Sequence, residues 1–187
     1  NSATAKKAKR HCNRFEPNGE AFIREVLGLH CLITDTKATS AAKAFWQHTG
    51  LGASSRMAAI ALGKELPASK VIAEIARTTL KKRLADIYSC NSESIQLHPS
   101  GMAAFASALE VITELLPDRP TLQLGFPYVD VLKLPQVVFK GSNLVLKTDA
   151  TDLAKELDIQ KPAAVVVELP SNPMLQCVNL PEIARLA

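Results

Sequence analysis

The chain has 187 residues, 47% of them hydrophobic and 21% charged, enough apolar content for one domain with its own core. The 22 Lys and Arg outnumber the 18 Asp and Glu only because Lys6, Lys7, Lys9, Arg10 and Arg14 crowd the first fourteen residues. That leaves a near-neutral body with no basic, aromatic-interleaved face for nucleic acid. No apolar run nears the roughly 18 residues of a membrane span, the first residues lack the apolar core of a signal peptide, and Cys12, Cys31, Cys90 and Cys177 are scattered without a CxxC. The expectation is a soluble, cytoplasmic protein.

In chain order, the basic start reads as a solvated tail. Glu20 to Leu29 predicts one short helix and Thr39 to His48 a second, closed by Thr49-Gly50, before a loop of small residues from Gly50 to Arg56. After Pro67, Ile72, Ile75, Ala76, Leu80, Leu84 and Ile87 recur at helical spacing behind Ser69 as N-cap, with Lys81, Lys82 and Arg83 opposite. Ser94 to Leu97 predicts a short strand. Gly101 to Leu116 predicts a helix with Ala104, Ala108, Val111, Ile112 and Leu115 inward. Thr121 to Leu124 and Asn143 to Leu146 predict strands, separated by a helical turn or two from Tyr128 to Leu134 that stops before Pro135. A short helix from Thr151 to Leu157, capped by Thr151 or Asp152, leads to Ala163–Leu169, a strand without alternation and therefore suited to burial on both faces. Asn179-Leu180-Pro181-Glu182 opens the last helix with an N-cap, a proline in the first turn and a capping-box glutamate. No closing signal precedes Ala187, so the chain reads as the front portion of a longer one.

Strands alternating with helices predict an α/β fold, a three-layer sandwich around a mostly parallel sheet. An extended helical arm (residues 1–64) would precede it, and residues 65–187 would be the front part of the larger domain. Ligands in such sheets sit at the carboxyl ends of strands, and two distinctive stretches fall there. In the first, His98-Pro99-Ser100-Gly101-Met102 opens a helix, whose free N–H groups and partial positive charge suit a phosphate. Gly101 admits a close approach and Ser100 adds a hydroxyl. The plain alternative is Ser100 as N-cap and Gly101 as terminator, because the spacing matches neither the dinucleotide nor the P-loop fingerprint. The second is Glu168-Leu169-Pro170-Ser171-Asn172-Pro173.

Ser100-Gly101-Met102-Ala103-Ala104, then Tyr128, then Glu168 to Pro173 resemble the Cys/Met-metabolism branch of fold-type I pyridoxal phosphate (PLP) enzymes. Leu80 to Ala85, Ser54-Ser55-Arg56 and Gly125 to Lys133 are similar to the cystathionine γ-synthase subgroup of fungi. The resemblance covers about Ser54 to Ala187. It implies PLP as cofactor, with Ser100, Gly101 and Met102 at its phosphate and Tyr128 stacked on its ring. Asn172 would bond the ring's phenolic oxygen, and Arg56 would reach the phosphate of a neighbouring subunit in a homodimer or homotetramer. The implied reaction joins an O-acylhomoserine and cysteine into cystathionine. A lyase or sulfhydrylase of the same family and a non-catalytic assembly module are the alternatives.

Two positions depart from the family pattern. Ser54 stands where a tyrosine is usual, and Val129-Asp130 replaces a glycine pair. The family's Schiff-base lysine has no counterpart, because no lysine follows Asn172; it and the ring-nitrogen aspartate are expected beyond Ala187, and no catalytic residue is assigned here. Without the resemblance, Tyr128 reads as a half-buried aromatic, Asn172 as a turn former, Arg56 as a surface cation, His98 as a packed residue at a strand end and Glu168 as a cap for nearby N–H groups. His11-Cys12 and His30-Cys31 fit no common zinc spacing, and Ser100 has no His/Asp relay.

Overall fold

The basic first residues form a helix. The computed structural model describes residues 1–139 and 141–187, and in it α1 (Ser2–Phe15) starts at Asn1, whose side chain accepts the Thr4 N–H at 2.9 Å. The expected solvated tail is corrected because Ala5, Ala8, His11 and Cys12 recur at helical spacing and are buried, with Arg10 and Arg14 left outside. Cys12 packs on Ala38 and Ala41. The helix predicted over Glu20 to Leu29 is instead an antiparallel hairpin, β1 (Ala21–Val26) with β2 (Leu29–Thr34). Leu27 and Gly28 both have positive φ, the two-residue turn whose twist matches flanking strands, and Phe22, Ile23, Val26 and Ile33 favour strands. Helix α2 (Thr39–Thr49) forms as expected and ends at Gly50 in the left-handed conformation. Where a loop was expected, α3 (Ser55–Ala61) begins, with Ser54 accepting the Met57 N–H.

Helix α4 (Lys70–Tyr88) has the predicted spacing but not the predicted burial. Ile72, Ile75 and Ile87 are 67%, 62% and 73% exposed, and Ala85 is its buried residue. Periodicity identifies an apolar face; it does not supply the surface that covers it. A 3₁₀ turn follows at Ser92–Ser94, and the strand expected from Ser94 to Leu97 is absent because this segment has no strand beside it among the described residues. Helix α5 (Gly101–Leu115) turns Ala103, Ala106 and Leu109 inward, while Val111 and Leu115 are exposed; Ile112 does pack on the core. An almost wholly apolar helix has no single stripe to read.

Strands β3 (Thr121–Leu124), β4 (Ser142–Val145) and β5 (Ala164–Val167) form a parallel sheet in the order β4-β3-β5. The mixed α/β class is as expected. Central β3 is buried throughout. Its residues alternate sides: Leu122 and Leu124 meet Leu153 of α7 (Ala150–Gln160) and Ile183 of α8 (Leu180–Leu186). Gln123, on the other side, donates its Nε2–H to the Val131 carbonyl of α6 (Val129–Val137) at 3.1 Å. Pro135 lies inside α6 and has no N–H for that same carbonyl four residues back. The buried glutamine replaces the missing donor, so the helix runs through the proline that was expected to stop it. Asp149, rather than Thr151 or Asp152, caps α7, and Asn179 caps α8 as expected.

The accessible surface is 12304 Å², against about 8,800 Å² for a compact monomer of this mass. Much apolar surface, the α4 face included, is therefore uncovered. Among the described residues no helix is long and apolar enough to cross a membrane.

Candidate functional site

Strands β3 and β5 are neighbours, and the helices that follow them lie on opposite sides of the sheet. Such a reversal opens a crevice at the carboxyl ends of the two strands. Tyr128 follows β3, Asn172 follows β5, and both line one cavity of about 330 Å³ beyond the carboxyl end of the parallel sheet. Its walls are otherwise apolar, with Phe126, Leu132, Leu144 and Leu146 contributing.

Tyr128 is held through its backbone: its carbonyl accepts the Leu132 N–H. Its backbone N–H donates to Glu168 Oε2 at 2.5 Å, joining the loops after β3 and β5. Its phenol has a pKa above the ordinary tyrosine value, first through the neighbouring Asp130 carboxylate, then through partial desolvation and the charge of Glu168. Asp130, in the first turn of α6, also sits with Oδ1 3.0 Å from Nδ1 of His48, in the last turn of α2. The His48 and Asp130 side chains are only 10% and 20% exposed. Sequence reasoning missed His48 altogether and noted Asp130 only as a departure from a glycine pair. Nothing in the sequence pairs two residues so far apart.

Asn172 rides on a tight loop. The N–H of buried Ser171 donates to the Gln176 carbonyl, its carbonyl accepts the Leu175 N–H, and its Oγ accepts the Gln176 N–H at 3.0 Å. Glu168 and Ser171 also border a more polar cavity of about 560 Å³ that includes Lys147 and Asp149.

The start of α5 presents the geometry of an anion site. Ser100 Oγ accepts the Ala103 N–H at 3.1 Å and the Ser100 carbonyl accepts the Ala104 N–H. The Gly101 and Met102 amides have no acceptor among the described residues, as the first turn of a helix leaves them. Gly50 makes the neighbouring approach possible: a Cβ there would lie 2.8 Å from Ser100 Oγ and 3.2 Å from Met102 Cβ. The structure thus brings Tyr128 and Asn172 together and leaves Ser100, Gly101 and Met102 outside the cavity those two line. Met102 does pack on the Ala106, Leu109 and Leu134 cluster that joins α5 to α6. Arg56 is exposed on α3 and is not part of that cavity. His98 is exposed rather than packed, its Nδ1 3.4 Å from Ser107 Oγ. An apolar slot with one amide suits an aromatic ring, and a free helix N-terminus suits an anion.

Comparison with known proteins gives relatives of partial coverage. The chain is 30% identical over 189 residues to L-2-amino-4-chloropent-4-enoate dechlorinase/desaturase of Streptantibioticus cattleyicolor, a match that takes in 92% of this chain and 36% of that protein. It is 33% identical over 113 residues to cystathionine gamma-synthase of Neurospora crassa, covering 54% of this chain and 18% of that protein. The chain thus spans about a third or less of the length of these curated relatives. No family model matches, and no solved structure matches.

Proposed function

We propose that the chain forms part of a PLP-dependent enzyme of amino-acid metabolism resembling cystathionine γ-synthase. The observation that carries this reading is the shared cavity of Tyr128 and Asn172 beyond the carboxyl end of the parallel sheet. The relatives add chemical direction: one is named for a substrate with chlorine on C4 of an amino acid, the other for a γ-synthase. Both names point to amino acids substituted at the γ-carbon. An O-acylhomoserine with cysteine as acceptor is the pair we favour; a lyase or sulfhydrylase of the same family is the alternative.

In this reading Tyr128 stacks on the cofactor ring, Asn172 donates from its amide to the ring's oxygen, and Ser100, Gly101 and Met102 hold the phosphate. Arg56 serves the cofactor of a neighbouring subunit in a homodimer or homotetramer. The cofactor, when bound, supplies an electron sink for carbanions next to the amino group. Glu168 fixes where Tyr128 begins its helix, and the Asp130 carboxylate, held by His48, favours its protonated phenol. No lysine follows Asn172 in these 187 residues, so we assign them a binding role and expect no turnover from them alone. We keep the division into residues 1–64 and 65–187. The exposed apolar face of α4 supports a second reading, an assembly module, with which cofactor binding is compatible.

The test is titration of PLP and of unphosphorylated pyridoxal into the chain, followed by cofactor fluorescence. Tyr128→Ala and Asn172→Ala are expected to weaken both ligands about tenfold, the loss of one stacking or hydrogen-bonding contact. Gly101→Pro removes one N–H at the first helical position, where proline is tolerated, and is expected to weaken PLP but not pyridoxal. PLP binding that ignores all three substitutions defeats the reading.

A further inference from the structure

A third cavity lies between α1, α2, α5 and the end of α6, built from none of the residues assigned above. Its volume is about 250 Å³, near the lower end of the roughly 300–1,000 Å³ common for small-molecule sites. The floor is apolar, with Phe45, Ala106, Val138 and Phe139. One side of α1 gives it Lys7, Arg10 and Arg14 at helical spacing, and a single acid, Glu110, faces them.

The charges do not balance. Lys7 Nζ is 2.5 Å from Glu110 Oε2, which neutralises that pair. Arg14 donates one N–H to the neutral Phe139 carbonyl at 3.3 Å. Among the described residues neither Arg10 nor Arg14 enters an ion pair. His11 also lines the cavity, packed against Phe15 and Phe45. Burial first and the Arg14 charge second hold its pKa below the ordinary histidine value, so at neutral pH it presents an uncharged ring. Arg14 also lies over the Phe15 ring, 4.9 Å from its centroid, so the cavity joins to an apolar floor two guanidinium groups that have no carboxylate partner among the described residues. Inorganic phosphate would satisfy the guanidiniums and leave the floor bare. A neutral hydrocarbon would cover the floor and desolvate the cations without return.

We propose that this cavity binds a small organic carboxylate with an apolar body, its carboxylate held by Arg10 and Arg14 and its body against Phe45, Val138 and Phe139. Guanidinium forks suit a carboxylate.

The probes are octanoate, octanamide and inorganic phosphate, titrated separately into the 187-residue chain and followed by calorimetry and by NMR of assigned resonances. Octanoate is expected to bind saturably, with shifts at Phe45, Val138 and Phe139, and about tenfold more tightly than octanamide or phosphate. Arg10→Gln, at an exposed residue, is expected to weaken octanoate about tenfold while the circular dichroism spectrum stays unchanged, and Arg10→Lys to recover part of the loss. Arg10→Gln with Arg14→Gln is expected to abolish the difference between octanoate and octanamide. Octanoate binding equally to wild type and Arg10→Gln, equal binding of octanamide, or shifts confined to the α4 face would each overturn the proposal. None of these outcomes bears on PLP binding, which uses other residues.

Discussion

His48 and Asp130, 82 residues apart in sequence, meet at 3.0 Å between ring nitrogen and carboxylate. The contact fastens the end of α2 to the first turn of α6, beside Tyr128. A carboxylate held by a partner on another element is restricted in direction, and the start of α6 is therefore tied to a segment early in the chain.

Tyr128 should titrate above an ordinary tyrosine, because the Asp130 carboxylate beside it favours the protonated phenol and opposes ionisation. With a folded pKa raised above the unfolded value, the stabilisation from this contact is complete below pH about 10 and is lost as pH rises through the raised value. Ultraviolet titration of tyrosinate in a Tyr88→Phe background isolates Tyr128, since the chain has two tyrosines. Asp130→Asn is expected to move the midpoint down toward the ordinary value.

Gln123 and Pro135 should be energetically coupled through the Val131 carbonyl. Gln123→Leu removes the side-chain donor on that carbonyl and should destabilise by ~1–3 kcal/mol. Pro135→Ala restores an N–H for the same acceptor. In urea denaturation the double variant should be clearly more stable than the sum of the single effects; strict additivity would mean the proline and glutamine are unrelated.

Gly50→Ala should destabilise by about 1–3 kcal/mol, combining a left-handed backbone (φ 61) with a Cβ pressed on the cap of α5. Gly28→Ala provides the control, since its φ is 75 with open space around the added atom. The difference in urea midpoint between the two variants measures the clash alone, and Gly50→Ala should lose more.

Ile75→Glu should change the stability of the chain by no more than about 0.5 kcal/mol, because the side chain is 62% exposed. If α4 is an assembly surface, sedimentation velocity should show reduced self-association in the same variant.

What was legible in the sequence was local. The caps of α8 and α5, the closing glycine of α2 and the apolar strand β5 each announce themselves within a few residues, and strands alternating with helices foretell parallel pairing. The hairpin β1–β2 was misread because Leu27-Gly28 is a weak turn signal beside Asn-Gly or Asp-Gly. Helix α1 was hidden because charge outweighs its small buried residues, Ala5, Ala8 and Cys12. Around the cavity, Tyr128 and Asn172 stand out through neighbouring motifs, and Glu168 accepts an N–H as its capping role suggests. His48 was out of reach because it arrives by tertiary packing from a segment with no motif of its own.

Among the described residues the valine strand β5 lies at the border of its sheet, with β3 as its neighbour. Its outward row of amides and carbonyls is a ready template for another extended segment. Val165, Val166 and Val167 lack the lysine, proline or bulge that ordinarily discourages such recruitment. Handled by itself, the polypeptide should therefore be prone to zip together edge to edge at high concentration, and a single inserted lysine on that border would be the first remedy for keeping it monodisperse.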